Sequence, residues 1–331
     1  MPKLFWIGSP FFSQSLHACG WEVIAHNFER PVIYGWDDIL ELAGGPPDAV
    51  VVADKSRPPF VLGQEAFPCP TVLYAVDTHI HSWLSLYAQG FDLCLVSLRD
   101  HLEFFRNQRL PAQRILWSPP YALSSAMPPE TPQTRIWPCL FVGNTDPEHT
   151  PGRARFLDAL RRILPNMHVT RGAYSSLYPQ ADVVLNISEL GDLNFRVFEA
   201  LGCGACLVTP AVEHGFKDLF TDGRELVTYP ELDAEAAAQV ILTLLADPKR
   251  RTRLAEAGLA AVDAAHRDRH RAETLTRALH SLPEDAVPQR LREARRIRSV
   301  WLRQIYLLHA AALSDDRLRA AYLQAADNRS V

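Results

Sequence analysis

Residues 181–204 run from an apolar stretch through a polar loop into a short helical pattern whose single acid is Glu199. Phe198 and Leu201 flank it, and Gly202-Cys203-Gly204 closes the pattern. A carboxylate can accept two hydrogen bonds from neighbouring hydroxyls of one ligand, a grip no neutral side chain matches. Asn194 stands where it can cap this helix, and Arg196 falls in its first turn. Arg153 follows the Gly143-Asn144 loop at another helix start, with Arg155 further along, and cations at helix starts suit a diphosphate.

A second cluster, Asp77-Thr78-His79-Ile80-His81, follows the apolar run 72–76 and so falls at the C-terminal end of a strand, where open α/β sheets bind ligands. Asp77, His79 and His81 are the candidate catalytic groups, since a carboxylate or neutral imidazole can take or orient the proton of a hydroxyl. The same three side chains also have the chemistry to hold a metal, and Asp77 to cap its own loop. Gly8-Ser9-Pro10, after the first apolar run, makes Gly8 a further ligand candidate. It is not a GxGxxG fingerprint, so nicotinamide chemistry gains little. Cys203 and Cys206 alone have metal-like or redox-like spacing; zinc needs a second pair, and this pair leads into an apolar run, so it reads as a turn.

The elements that position these residues alternate. Short apolar runs at 4–8, 22–26, 49–53, 71–76, 92–96 and 115–117 read as strands buried on both faces, with crossover helices expected at 36–42, 82–89 and 98–108. Residues 118–132 carry five prolines and are expected to form a hinge, with a linker over 121–135. A second series of strands is expected at 138–142, 168–170, 183–187, 205–208 and 225–228. Thr150-Pro151 and Asp247-Pro248 mark helix starts. The expectation is an α/β chain of two doubly wound, Rossmann-like domains, 1–120 and 136–283, with a helical extension over 284–331. In that extension Leu291, Ala294, Ile297, Trp301, Ile305, Leu308 and Ala312 predict one buried stripe.

The chain has 331 residues, 47% hydrophobic and 22% charged, which fits globular domains. No apolar run approaches the roughly 18 to 20 residues of a membrane span, and the first is too short for a signal-peptide core, so a cytoplasmic location is expected. A net charge of −4 argues against general nucleic-acid binding. Arg290, Arg292, Arg295, Arg296, Arg298 and Arg303 are expected to form a solvated face, the alternative being a local patch for peripheral membrane or nucleic-acid contact.

Asn194-x-Arg196-x-Phe198-Glu199-Ala200 resembles the signature of the CgeB-like group of GT-B glycosyltransferases. Leu207-Val208-Thr209-Pro210, Phe220-Thr221-Asp222-Gly223-Arg224-Glu225, Ala246-Asp247-Pro248, Ala257-Gly258 and His266 with Arg271-Ala272 continue the pattern. Upstream, Phe141-Val142-Gly143-Asn144 is similar to the opening strand and loop of the same domain. The likeness covers roughly residues 137 to 275 well and the N-terminal half more loosely. It implies a hexosyltransferase-like enzyme that takes a nucleotide-diphosphate sugar, bound in the cleft between its domains, and needs no metal or other cofactor. It places Glu199 on the donor's ribose, with Asn194, Arg196, Arg153, Gly143, Asn144 and Gly8 around the donor and the acceptor on the Asp77 side. The glycines after Glu199 would let backbone approach the ligand, and the last helices would return to the first domain.

One departure stands out. Retaining relatives of the family-four type place two glutamates with seven residues between them, which here puts Gly191 where an acid is expected. Glu189 is assigned to the donor's sugar, with Asp192 the other choice, and a retaining or inverting outcome stays open. The acceptor, whether surface glycan, protein, small metabolite or modified DNA, is not identified. A sugar-nucleotide epimerase and a non-catalytic scaffold with a decayed site are the alternatives.

Overall fold

The computed structural model describes residues 1–327 except 107, 132 and 189, so Glu189 lies outside the described residues. The chain divides into two compact units, one of Met1–Pro119 with the chain from Ala272 onwards, the other Pro120–Arg271.

The first unit holds β1 (Lys3–Gly8), β2 (Glu22–His26), α1 (Trp36–Leu42), β3 (Ala49–Ala53), β4 (Thr71–Ala75), α2 (Leu84–Tyr87), β5 (Leu93–Val96), α3 (Leu102–Phe105) and β6 (Ile115–Trp117). All pairs are parallel, in the order β2-β1-β3-β4-β5-β6. Strand β3, Ala-Val-Val-Val-Ala, is buried along its whole length, as a β-branched run covered on both faces must be. The expected helices at 82–89 and 98–108 shrink to single α turns flanked by 3₁₀ turns.

The second unit holds β7 (Trp137–Val142), α4 (Pro151–Ile163), β8 (Met167–Thr170), α5 (Tyr174–Leu177), β9 (Ala181–Leu185), α6 (Phe195–Gly202), β10 (Leu207–Pro210), α7 (Phe216–Leu219), β11 (Val227–Tyr229), α8 (Ala234–Ala246) and α9 (Pro248–Ala265). Its sheet is again parallel, in the order β11-β10-β9-β7-β8. Helix α9 starts on the Asp247 side chain, which accepts from the Arg250 amide at 2.9 Å. Thr150 occupies the cap position of α4, but its hydroxyl bonds back to the Asp146 carbonyl and does not cap.

The segment read as a linker is tied into the second unit. Ala122 donates to the His266 carbonyl at 2.9 Å, and Asp268 donates to the Ala122 carbonyl at 3.0 Å. The wholly buried Arg267 donates to the carbonyls of Leu123, Ala126 and Gly202 and to Asp263. Proline removes amide donors, but a chain that needs few can still be pinned through its carbonyls.

After α10 (Asp268–His280), the tail returns to the first unit, as the resemblance implies. Helices α11 (Ala286–Ile297), α12 (Arg303–Ala312) and α13 (Asp316–Asp327) complete the first unit's core, where Ile297, Leu302, Ile305, Tyr306 and Tyr322 join Ile7, Val52 and Leu73. The expected stripe is only partly the buried one: Leu291 and Leu308 face solvent at 37% and 59% exposure. A π turn over Arg298–Leu302 joins α11 to α12, and its i→i+5 bonding shifts the buried positions to Arg298, Leu302, Ile305, Tyr306 and Ala310.

Two of the six tail arginines are therefore interior, contrary to the solvated face expected of them. Arg290 is wholly buried; its Nε reaches both Asp92 oxygens at 3.0 Å, and its Nη atoms donate to Gln64, Phe67 and Cys69 carbonyls at 2.7, 2.9 and 2.7 Å. Arg298 pairs with the buried Glu65 at 2.7 Å. Buried charges persist only when paired and hydrogen-bonded in this way. Arg292, Arg295, Arg296 and Arg303 are exposed. Among the described residues no helix is long and apolar enough to cross a membrane.

Candidate functional site

In the second sheet β7 lies between β8 and β9, so the chain's direction of travel reverses between β7 and β9. Open parallel sheets bind ligands beyond the carboxyl ends of strands at such a switch point. Gly143 and Asn144 leave the end of β7, and Asn186 to Ser188 leave the end of β9. Arg196, in the first turn of α6, spans the gap: its Nε donates to the Val142 carbonyl at 3.0 Å and its Nη1 to the Asn186 side chain at 2.8 Å. The guanidinium lies 5.0 Å over the Phe141 ring. A Cβ at residue 143 would stand 2.9 Å from Arg196 Nη2 and 2.9 Å from the Phe141 ring, so glycine is what leaves room for the arginine.

Two further arginines converge on the same loop. Arg153 donates to the Asn144 carbonyl at 2.9 Å, and Arg171, just after β8, bonds the Asn144 side chain. The result is a cationic rim at the switch point, suited to an anion. Arg171 was missed in the sequence because it follows an edge strand with no motif around it.

Glu199 lies one turn beyond Arg196 on α6, hence on nearly the same face. No described residue hydrogen-bonds its carboxylate. Burial pushes its pKa up to about 7, against a partial pull down from Arg196. Asn194 occupies the cap position but makes no cap; its Nδ2 reaches the Ile187 carbonyl at 3.5 Å, and its buried Oδ1 has no partner among the described residues. Ser188 donates to Asp192 at 2.8 Å. Gly191, at φ +71°, donates its amide at 3.0 Å to Glu231, an acid from the loop after β11. The structure thus brings a carboxylate to residue 191 from 40 positions away, which sequence spacing does not reveal.

The small residues ending α6 have a local cause. A Cβ on Gly202 would lie 2.5 Å from the Ala122 Cβ, and one on Gly204 2.9 Å from Pro128. They admit the chain's own segment 122–128.

In the first unit the switch point lies between β1 and β3. Gly8 sits there at φ +117°, where a Cβ would fall 1.9 Å from the Ala53 carbonyl oxygen. Asp54, at the end of β3, was also missed: it is buried, and its carboxylate accepts the amides of Ser56, Val76 and Asp77 at 2.8, 3.0 and 2.8 Å. That holds the turn carrying Asp77, whose pKa is raised by burial and then by Asp54. His81 Nε2 lies 3.3 Å from the Ser56 hydroxyl, and the buried Nδ1 of His79 has no partner among the described residues. Asp77, His79 and His81 therefore share one turn, while the described donor candidates other than Gly8 all surround the second switch point.

A family model described as glycosyl transferase-like matches residues 132–277. Among solved structures, HepE of Anabaena, in complex with UDP and glucose, matches with a TM-score of 0.62 at 13% identity, over 85% of this chain and 100% of that one. Sucrose-phosphate synthase from Thermosynechococcus elongatus gives 0.57 at 13% identity, over 85% and 99%. The fold is GT-B.

The lipopolysaccharide outer core galactosyltransferase WaaB, in its apo form, has the same fold at a TM-score of 0.54 and 13% identity, over 84% of this chain and 99% of that one. No curated protein matches the chain in sequence. The glycosyl transferase-like stretch contains the whole second switch point, from Gly143 to Glu231. Within this GT-B fold, several residues of the signature hold the chain together. Arg271 donates to the Pro120 carbonyl at 2.9 Å and meets His266 Nδ1 at 3.2 Å, while Glu225 accepts the Thr221 amide at 2.8 Å.

Proposed function

We propose that the chain is a glycosyltransferase, of CgeB-like type, that transfers a sugar from a nucleotide-diphosphate donor to an acceptor hydroxyl. The observation that carries this reading is the placement of Arg196 and Glu199 one turn apart at the second unit's switch point. Glu199 accepts the two ribose hydroxyls. Arg196, with Arg153 and Arg171, meets the diphosphate, whose negative charge grows as the bond from its oxygen to the anomeric carbon breaks. The acceptor oxygen forms the new bond to that carbon, and its proton passes to Asp77, a carboxyl whose raised pKa suits a base. This assignment needs no metal, because the arginines supply the positive charge. Glu231 takes the role on the donor's sugar that the resemblance gives to an acid at residue 191.

Thermal unfolding of the wild type and Glu199→Ala with UDP, GDP, dTDP and CDP tests the donor site. At 100 times its dissociation constant a nucleotide stabilises the folded state by about 2.7 kcal/mol. One base should give that gain in the wild type and lose most of it in the variant. Absence of a shift with all four would remove the donor reading and favour the decayed-site scaffold.

A further inference from the structure

The acceptor's chemical class can be read from the first unit. A cavity of about 320 Å³ is lined by Thr78, His81, Ser82, Ser85, Phe104 and Phe105. That is the lower end of the roughly 300–1,000 Å³ typical of small-ligand sites. Thr78 and His81 belong to the turn that carries Asp77, where the His81 amide donates to the Asp77 carbonyl at 2.9 Å.

The lining selects a neutral, many-hydroxyl ligand. No carboxylate, lysine or arginine faces the cavity, and His81 is its one titratable group, so neither a phosphate nor a cation finds a counter-charge. Three hydroxyls line it, and a hydroxyl both donates and accepts, as a sugar rim requires. Thr78 Oγ1 is oriented by His101 Nδ1 at 2.8 Å, and Ser85 donates to the Ser82 carbonyl at 3.1 Å. Opposite in character is Phe104, a large apolar side chain left 60% exposed, with Phe105 buried behind it. A ring held open in this way fits the C–H face of a pyranose. The apolar cavity of Phe28, Val32, Pro59 and Leu318 in the same unit offers only Arg57 and Tyr322 as polar side chains, and the Tyr322 hydroxyl already donates to the Pro59 carbonyl.

We infer that this cavity binds the terminal sugars of a carbohydrate acceptor. The inference rests on the glycosyltransferase reading, but its test does not use the donor. Saturation-transfer NMR on the full chain, with lactose, maltose, cellobiose and octyl β-glucoside as probes, compares the wild type with Phe104→Ala and Ser85→Ala. Sugar-ring protons should receive saturation in the wild type, with affinity falling about fivefold or more in Phe104→Ala. Thermal unfolding of both unliganded variants should match that of the wild type, which shows that they fold and keeps this proposal separate from the donor site. Saturation of the octyl chain alone would overturn the proposal in favour of an apolar acceptor. Failure of every sugar to bind, or binding undiminished in both variants, would overturn it outright.

Discussion

A ribose diol binds best to an ionised carboxylate, and Glu199 titrates at about 7. Nucleotide affinity should therefore rise about tenfold between about pH 6 and about pH 8, beyond the change seen in Glu199→Gln, which corrects for the phosphate's own titration. Isothermal titration at three pH values checks this. The sign for the unliganded protein is opposite. A carboxyl whose folded pKa is raised contributes stability that is full below about pH 4.5 and lost as pH rises through about 7, so the glutamine variant should be the less pH-dependent in that window. Glu199 itself was legible because an acid between apolar neighbours is unusual. Asp54, Arg171 and Glu231 were not, since each acts on a loop far along the chain through a backbone amide or an amide side chain.

Among the elements, α6 carries the site on one side and a packing constraint at its end. Replacing a helical glycine by alanine ordinarily stabilises by up to about 1 kcal/mol. At Gly202 the new Cβ would meet Ala122 Cβ at 2.5 Å and Arg267 Nη1 at 2.9 Å, and overpacking costs about 1–3 kcal/mol. Gly202→Ala should lower stability in urea unfolding, with nucleotide binding retained. A gain in stability would mean that the segment 120–126 moves aside easily. Strands of the first sheet were read from the sequence almost to the residue, because uninterrupted apolar runs between turns admit few other structures. In the second sheet β9, β10 and β11 are each displaced from the expected 183–187, 205–208 and 225–228 by about two residues. The tail stripe was misplaced at Leu308 because a π turn breaks the 3.6-residue period, and at Leu291 because its neighbour Arg290 takes the buried position.

For the molecule as a whole, the first unit is discontinuous: its sheet comes from the first 119 residues and part of its core from the last three helices. Arg290→Ala should leave Asp92 buried and unpaired and cost about 3–5 kcal/mol, measured by denaturant unfolding. Arg290→Lys should recover little, because a lysine cannot reach the carboxylate and three carbonyls in one plane. An arginine-rich tail gives no sign in sequence that two of its charges are interior, since composition does not tell which face of a helix a charge occupies.

Ribosomal synthesis delivers a chain from its N-terminus, and domains usually fold in that order. Here the order inverts. The continuous stretch 120–271 is complete while the chain is still growing, whereas the strands made first must wait, with one side of their core uncovered, until the last helices emerge. A chain ended at residue 285 should therefore yield a protease-resistant second half and a digested first half. During synthesis the waiting N-terminal strands are the part most in need of a chaperone.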